Sequence, residues 1–273
     1  RADDANEGET VTLLLNQTPF YGESGGQVGD AGKLTSLNGF VGEVEDTSKP
    51  LGKLHALRTH VAKGQVSIGN TLHQQVDVER RAQIRANHSA THLLHAALRN
   101  ELGGHVTQKG SLVAPDRLRF DFSHPKALTT EEIAAIEAEV NAEIRANEPV
   151  LTRLMTPDEA VESGALALFG EKYGDEVRVL SMGREGDERH FSVELCGGTH
   201  VAATGDIALF KIISESAVSS GVRRIEALTG EAARHWLNSR DDKLKEAASA
   251  LKASRDEVPT RVAALVEERR RLE

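Results

Sequence analysis

The chain has 273 residues, a formal net charge of −9 at pH 7 and one cysteine, Cys196. Its length suffices for a buried core in one large domain or two smaller ones, which makes a collagen-like or disordered chain a poor interpretation. A single cysteine cannot form an internal disulfide, so it argues against a disulfide scaffold and predicts a reducing compartment. No stretch approaches the roughly 18 uncharged apolar residues of a membrane helix, so we expect a soluble cytoplasmic protein without a membrane partner. The negative net charge argues weakly against a nucleic-acid partner.

Residues 1–79 are rich in glycine and contain short runs in which apolar and polar residues alternate. These runs occupy residues 11–15, 40–46 and 71–79. Short alternating segments separated by turns are typical of half-buried strands in a small barrel or sandwich. We therefore predict a small glycine-rich β-barrel subdomain over residues 1–79.

The apolar period changes to that of a helix after residue 79. Apolar side chains recur with helical spacing over residues 79–102, which predicts a helix of about six turns. Residues 118–122 alternate as a strand with one buried face. A second helix follows, which Thr129 or Thr130 can cap, and Pro149 marks its end.

The remaining elements predict an α+β fold. Residues 150–230 suggest strand, short helix and further strands, and a charged helical pattern with a break at Pro259 follows. We expect three parts, which are the subdomain over 1–79, an α+β core over 80–230 and a helical linker over 231–273 that begins a carboxyl-terminal region. The chain does not begin with Met, and this predicts a piece of a longer protein.

Two short motifs combine side chains that bind metals. His88 and His92 are four residues apart in the predicted helix, so both project from one face. Cys196 and His200 flank Gly-Gly-Thr, in which glycine permits a tight turn. Three nitrogens and one sulfur suit tetrahedral zinc, whereas the alternative is two ordinary helix-face histidines and a buried cysteine. His95 can face the same site, and we expect it to support a ligand or to pack there.

Several segments together resemble the editing domain that alanyl-tRNA synthetases share with free-standing editing proteins and, more distantly, with threonyl-tRNA synthetases. The first two are HSATHLLHAALR at 88–99 and ELCGGTHV at 194–201. The stretches at 18–30, 108–124 and 204–230 resemble the alanyl branch in particular. The resemblance extends over most of the chain and implies an α+β zinc-containing editing core.

The resemblance also implies ligands and an activity. His88, His92, Cys196 and His200 correspond to zinc ligands, and the reaction is hydrolysis of the ester in seryl- and glycyl-tRNA for alanine. Such an activity has an energetic reason, because one methylene changes binding by only about 1–3 kcal/mol, and an alanine pocket cannot exclude glycine well. Serine adds only a hydroxyl, and a second site that binds this hydroxyl supplies the missing discrimination.

We expect two residues to act in catalysis. Gln108 opens the QKGS run, and the resemblance implies a place in the editing pocket, where its amide can orient water or bind a serine hydroxyl. The alternative is a solvent-facing amide. Thr199 lies within the Cys-Gly-Gly-Thr-His motif and is expected to touch the substrate, the alternative being a hydroxyl that caps its own turn.

Five further residues are expected to bind substrate. Ser24, Gly25 and Gly26 belong to a glycine-rich stretch that brings backbone N–H groups close to a ligand, although a turn between strands explains it equally well locally. Arg223 and Arg224 suit a phosphate or the terminal adenosine, but adjacent strand residues face opposite ways, so at most one points at the site.

The partners implied are tRNA for alanine and the rest of a synthetase chain, with dimerisation through regions beyond residue 273. Arg80, Arg81 and Arg85 form a local basic cluster that offsets the acidic total. No ATP-binding motif is evident, so ATP-dependent ligation is expected only in the parent enzyme. The alternatives are a free-standing deacylase and a structural-zinc module that docks tRNA without catalysis.

Overall fold

The computed structural model describes residues 3–165, 175–185 and 190–273 of the chain, without the side chain of Glu185. Helices and antiparallel sheets are combined in these residues, which confirms the α+β prediction. Contacts within the chain separate two units, residues 1–230 and 231–273. The further division of the first unit at residue 79 stays a prediction.

The amino-terminal part consists of short strands. They are β1 (Asp4–Asn6), β2 (Thr10–Leu13), β3 (Gly32–Thr35), β4 (Val41–Ser48), β5 (Ala56–Lys63), β6 (Gln65–Ser67) and β7 (His73–Val76). Five of them form a sheet in the order β2-β5-β4-β3-β7, and β1 pairs with β6. A core that includes Phe20, Phe40 and Leu57 packs against these strands.

The predicted closed barrel is wrong. The edge strands β2 and β7 do not pair with each other in the part of the chain that the structure describes, so the sheet is open. Closure needs an unbroken circle of pairing. The glycine-rich loop at 18–30 supplies no named strand and instead runs beside the later strand at Val113, which Val28 contacts through its backbone.

A long buried helix, α1 (Val78–Leu102), follows. Asp77 caps its first turn by accepting from the backbone N–H of Arg80 at 3.0 Å, and Gly103 ends it. Its residues from Ala86 to Leu98 are all buried, although several of them are polar. A helix buried on all sides with polar residues inside must satisfy them with specific partners.

The main core lies around α1. A four-stranded antiparallel sheet packs there in the order β13-β14-β9-β8. Its strands are β8 (Gln108–Val113), β9 (Leu118–Ser123), β13 (Phe210–Ser219) and β14 (Val222–Thr229). Helix α2 (Thr130–Ala146) packs against α1, and Thr129 caps it in a capping box with Glu132.

A three-stranded sheet in the order β10-β11-β12 leads into the second motif. It comprises β10 (Leu151–Met155), β11 (Val177–Glu185) and β12 (His190–Leu195), with the short helix α3 (Pro157–Glu162) between the first two. Strand β12 ends at Leu195, so Cys196 begins the turn that follows. A 3₁₀ turn at Thr204–Ile207 connects to β13.

The second unit is helical. It contains α4 (Gly230–Ala250), a 3₁₀ turn at Arg255–Glu257 and α5 (Val258–Leu272), with Pro259 in the first turn of α5. Proline is tolerated there because that backbone N–H has no helical partner. Among the described residues, no helix has the length and apolar character to cross a membrane.

Candidate metal centre and adjoining cavity

Four donor side chains from two distant segments meet beside α1. His88 and His92 lie one turn apart with their rings stacked, the centroids separated by 5.2 Å. Cys196 Sγ lies 3.2 Å from His200 Nε2 and 3.5 Å from His88 Nε2. All four donor atoms are within 4.8 Å of one another, so the group could hold one metal ion.

Each histidine of the group is oriented through its other ring nitrogen. His88 Nδ1 is 2.7 Å from Gln27 Oε1, and His92 Nδ1 is 2.6 Å from Glu194 Oε2. Ser89 Oγ lies 3.5 Å from Nδ1 of His200. An Nδ1–H held by an oxygen acceptor leaves the Nε2 lone pair free for a metal, which is the usual arrangement around bound ions.

The residues present fit a tetrahedral ion. Zinc–sulfur and zinc–nitrogen bonds of about 2.3 and 2.0 Å put sulfur and nitrogen about 3.5 Å apart, close to the separations at Cys196. Nε2 of His92 is buried and has no hydrogen-bond partner among the described residues. A buried polar ring nitrogen normally has a partner, and a metal ion would supply it.

The electrostatic environment of the donors favours a cation. Burial raises the pKa of Cys196, but the charge of His92 and hydrogen bonds from the other histidines lower it more, to about 2. Burial lowers the pKa of His92, whereas the Glu194 carboxylate and the Cys196 thiolate outweigh this and raise it to about 10. Burial is also the main cause that lowers the pKa of His200, to about 3. The thiolate and the neutral His200 imidazole are the forms that bind metals, and a bound ion would take the place of the proton that His92 Nε2 otherwise holds.

Gly198 is required by close packing. A β-carbon at this position would overlap the His88 ring, lying 2.5 Å from Nδ1, and would lie 2.9 Å from Gln27 Oε1. A β-carbon on Gly197 would meet no atom within 4 Å. Arg178 supports the turn by donating to the carbonyl oxygens of Cys196 and Gly198, at 3.2 and 2.5 Å.

Gln27 is a site residue that the sequence analysis missed. Its side chain is fully buried. Besides contacting His88, Oε1 accepts from the backbone N–H of Thr199 at 2.9 Å, and Nε2 donates to Thr199 Oγ1 at 2.9 Å. Gln27 thus joins the glycine-rich loop to both metal-binding motifs. The only local signal was a polar residue directly after two glycines.

Glu194 is a second residue that the sequence analysis missed. It is buried, and its two carboxylate oxygens contact His92 Nδ1 at 2.6 Å and His95 Nδ1 at 2.7 Å. It lies two residues before Cys196 in a strand of alternating pattern. The available signal for Glu194 was a carboxylate in a segment whose apolar residues predict a buried strand.

A cavity of about 320 Å³ adjoins the donors. His88, His92 and Cys196 line it. The predicted catalytic residue Gln108 lines it as well, as the first residue of β8. His95 is a further lining residue. The structure therefore places the Gln108 amide, two imidazoles of the donor group and the His95 imidazole around one cavity.

The glycine-rich loop forms part of the cavity wall. Ser24 and Gly25 line the cavity, whereas Gly26 is absent from the described lining residues. Gly25 and Gly26 have φ values of +59° and +86°, which glycine adopts readily. A β-carbon on Gly26 would lie 2.7 Å from the carbonyl oxygen of Ser111, so this glycine allows the loop to approach β8.

The two predicted arginines lie in ion pairs. Arg223 Nε is 2.5 Å from Glu215 Oε1, and Arg224 Nε is 2.6 Å from Asp121 Oδ1. Neither is among the described residues that line the cavity, and Thr199 is not among them either. The roles predicted for these three residues stay predictions.

Most of the basic cluster at the start of α1 has a structural partner. Arg81 pairs with the buried carboxylate of Asp30 and donates to the Pro19 carbonyl at 2.6 Å, and Arg80 donates to the Gly29 carbonyl at 2.7 Å. These two arginines anchor the glycine-rich loop. The cations that line the cavity are instead Lys49 and Arg178.

Comparison with protein families identifies two segments. The family model of the threonyl and alanyl tRNA synthetase second additional domain matches residues 177–226, which include the Cys196 motif. The model of class II (A) tRNA synthetases matches residues 1–80.

Comparison with curated proteins identifies relatives over the full chain. The alanine-tRNA ligase of Rhizorhabdus wittichii is 71% identical over 100% of this chain and 31% of its own length. The enzyme of Sphingopyxis alaskensis is 70% identical over 99% of this chain and 30% of its own length, and that of Parvibaculum lavamentivorans is 59% identical over 99% and 31%. The chain thus spans about a third of these relatives, and it belongs to the alanyl-tRNA synthetase family, carrying the second additional domain that this family shares with threonyl-tRNA synthetases.

Proposed function

We propose that this chain is the editing part of an alanyl-tRNA synthetase and hydrolyses the ester of seryl- and glycyl-tRNA for alanine. The observation that carries the proposal is the group of His88, His92, Cys196 and His200 beside a cavity that these donors help to line. Ligand pockets of about 300 Å³ are at the small end of their range. The cavity therefore suits an aminoacyl ester and part of its ribose.

Zinc is the proposed metal, with the four donors as its ligands. One cysteine and three histidines form a soft and borderline donor set that zinc prefers over magnesium or calcium. Bound zinc would supply a Lewis acid that polarises the ester carbonyl or acidifies a water molecule. The chain's own contribution is to hold the donors rigidly, through Gln27, Glu194 and Ser89.

The remaining side chains are assigned to substrate. The Gln108 amide donates and accepts, so it can orient the attacking water or the ester carbonyl. Ser24 and Gly25 line the same cavity. Thr199 is proposed to touch the substrate, as the family resemblance implies, and its two hydrogen bonds with Gln27 position that amide and through it His88. Binding of substrate by Gly26, Arg223 and Arg224 belongs to the same proposal but rests on the family resemblance.

The parent protein is proposed to ligate alanine to its tRNA with ATP, and this chain is proposed to lack that activity. Its relatives are alanine-tRNA ligases about three times longer, which supports a part of a larger enzyme over a free-standing deacylase. The proposed partners are accordingly tRNA for alanine and the rest of the synthetase, in the cytoplasm, with dimerisation through regions beyond residue 273.

One observation favours a second candidate, a structural-zinc module that docks tRNA without catalysis. Four protein ligands complete a tetrahedral shell, whereas hydrolytic zinc usually keeps one position open. Catalysis by this site requires one ligand to leave, a fifth position, or a metal that organises the cavity while side chains act on water. The two candidates differ in whether the ester is cleaved at all.

Deacylation of purified substrates tests the proposal. Seryl-, glycyl- and alanyl-tRNA for alanine are incubated with the chain, and the release of each amino acid is followed beside a buffer control. We expect rapid loss of the first two esters and persistence of the third. Ester lifetimes equal to those in buffer, with zinc bound, would favour the docking module.

Matched variants test the ligand assignment. Cys196→Ala and His92→Ala are expected to lose both turnover and zinc, measured by elemental analysis, because each removes one donor. The control is His73→Ala, since His73 is exposed and outside the donor group. Full activity with undiminished zinc in Cys196→Ala would refute the assignment.

A further inference from the structure

Glu194 orients two imidazoles in the same way. Its Oε2 lies 2.6 Å from His92 Nδ1, and its Oε1 lies 2.7 Å from His95 Nδ1. A carboxylate accepts hydrogen bonds and donates none, so each Nδ1 carries the hydrogen. In a neutral His95 imidazole, Nε2 is then an acceptor.

The Nε2 atoms of His92 and His95 differ in what surrounds them. His92 Nε2 belongs to the metal-binding group. His95 lies outside that group, yet it is buried and its Nε2 has no hydrogen-bond partner among the described residues. An unpaired buried acceptor is unfavourable, and its presence in a folded protein requires an explanation. The residue lines the cavity, so a ligand there can supply the missing donor.

The nearby walls indicate the chemistry of that donor. The Phe120 ring lies beside His95, with 5.2 Å between the centroids, and also lines the cavity. Thr91 lines it too, but its hydroxyl donates to the Asn87 carbonyl at 2.8 Å. An apolar ring next to a ring-nitrogen acceptor suits a short methylene that carries a hydroxyl. This is the side chain of serine.

We propose that His95 Nε2 accepts a hydrogen bond from the seryl hydroxyl of the substrate and thereby selects serine over alanine. The proposal rests on the proposed deacylase function and assigns its specificity for serine to one residue. Alanine has a methyl group at that position, so binding alanine leaves Nε2 unpaired. Glycine, like alanine, donates no hydrogen bond there, so this contact accounts only for the preference for serine, and hydrolysis of the glycyl ester measures the reaction without it.

Two substitutions of His95 separate this role from a structural one. His95→Phe keeps a ring of similar size and removes the acceptor. His95→Gln retains an acceptor at the end of a side chain of similar reach. The control is His105→Phe, because His105 contacts His124 at 3.0 Å and is not among the described residues that line the cavity.

The readout is the ratio of kcat/KM for seryl-tRNA to that for glycyl-tRNA on one enzyme preparation. Partial loss of zinc lowers both values together, so the ratio is independent of metal occupancy. We expect His95→Phe to lower the ratio about 10- to 100-fold, His95→Gln to restore most of it, and His105→Phe to leave it unchanged.

The outcomes are distinguishable. An equal loss on both esters in His95→Phe, or an unchanged ratio, would overturn the role of His95 and leave the deacylase function standing. A wild-type chain that hydrolyses neither ester would instead refute the proposed function itself.

Discussion

Substitution of Gly198 by alanine tests the geometry of the metal centre most directly. The added β-carbon would lie 2.5 Å from His88 Nδ1 and 2.9 Å from Gln27 Oε1. Non-bonded heavy atoms are comfortable at about 3.5 Å, so the imidazole, whose Cε1 lies nearer still, must move by at least about 1 Å. Gln27 lies against the same Nδ1 at 2.7 Å and restricts that movement.

The expected effect is large because metal ligands tolerate little displacement. Bond lengths in such sites hold to within about 0.2 Å, so a shift of 1 Å removes His88 from the shell. Loss of a side chain that merely orients a ligand typically weakens metal affinity about 10- to 100-fold. Displacement of a ligand itself should therefore weaken zinc binding of Gly198→Ala by at least about 100-fold.

Zinc affinity is measured by competition with a chromogenic chelator, and far-ultraviolet circular dichroism checks that the fold persists. Gly197→Ala is the matched control, because its β-carbon meets no atom within 4 Å and its affinity should stay within about twofold of wild type. Wild-type zinc affinity in a folded Gly198→Ala protein would refute the close packing of His88 on this turn or its role as a ligand.

Three other outcomes are expected. Gln27→Ala should weaken zinc binding about 10- to 100-fold in the same competition assay, because the support of one histidine is lost, and unchanged affinity would contradict that support. Arg81→Ala should lower the free energy of unfolding in urea by about 3 kcal/mol, because it leaves the Asp30 carboxylate buried without its cation, whereas Arg58→Ala at an exposed pair should cost under about 1 kcal/mol. Equal losses in the two arginine variants would contradict the burial argument. Removal of zinc by a chelator should abolish deacylation and added zinc should restore it; activity that persists after zinc becomes undetectable would exclude a metal-dependent reaction.

Local patterns predicted the helices and the grouping of the four candidate donors well. The helix at 79–102 was predicted within one residue of α1, and Thr129 was one of two caps considered for α2. Spacing of four on a helix necessarily places His88 and His92 on one face. Two glycines between Cys196 and His200 permit the tight turn that brings both side chains together. These features depend on neighbours along the chain, so the chain order reveals them.

Local patterns could not predict whether the amino-terminal sheet closes into a barrel. The alternating runs indicated strands, but an alternating pattern is the same in an open sheet and in a barrel. Which strands pair, and whether β2 meets β7, depends on contacts between segments far apart along the chain, among them the glycine-rich loop at 18–30. That loop is anchored by Arg81, through a contact between Asp30 and α1 that no local pattern encodes.

The sequence by itself determined the donor set, the α+β class and the family resemblance, because each is written in residue types at short spacing. Only the tertiary structure decided how the donors are held and what adjoins them. Gln27 lies 172 residues from Thr199, and Glu194 lies about a hundred residues from both histidines that it contacts. Such partners satisfy buried polar atoms, and burial is a property of the folded chain that no single segment contains.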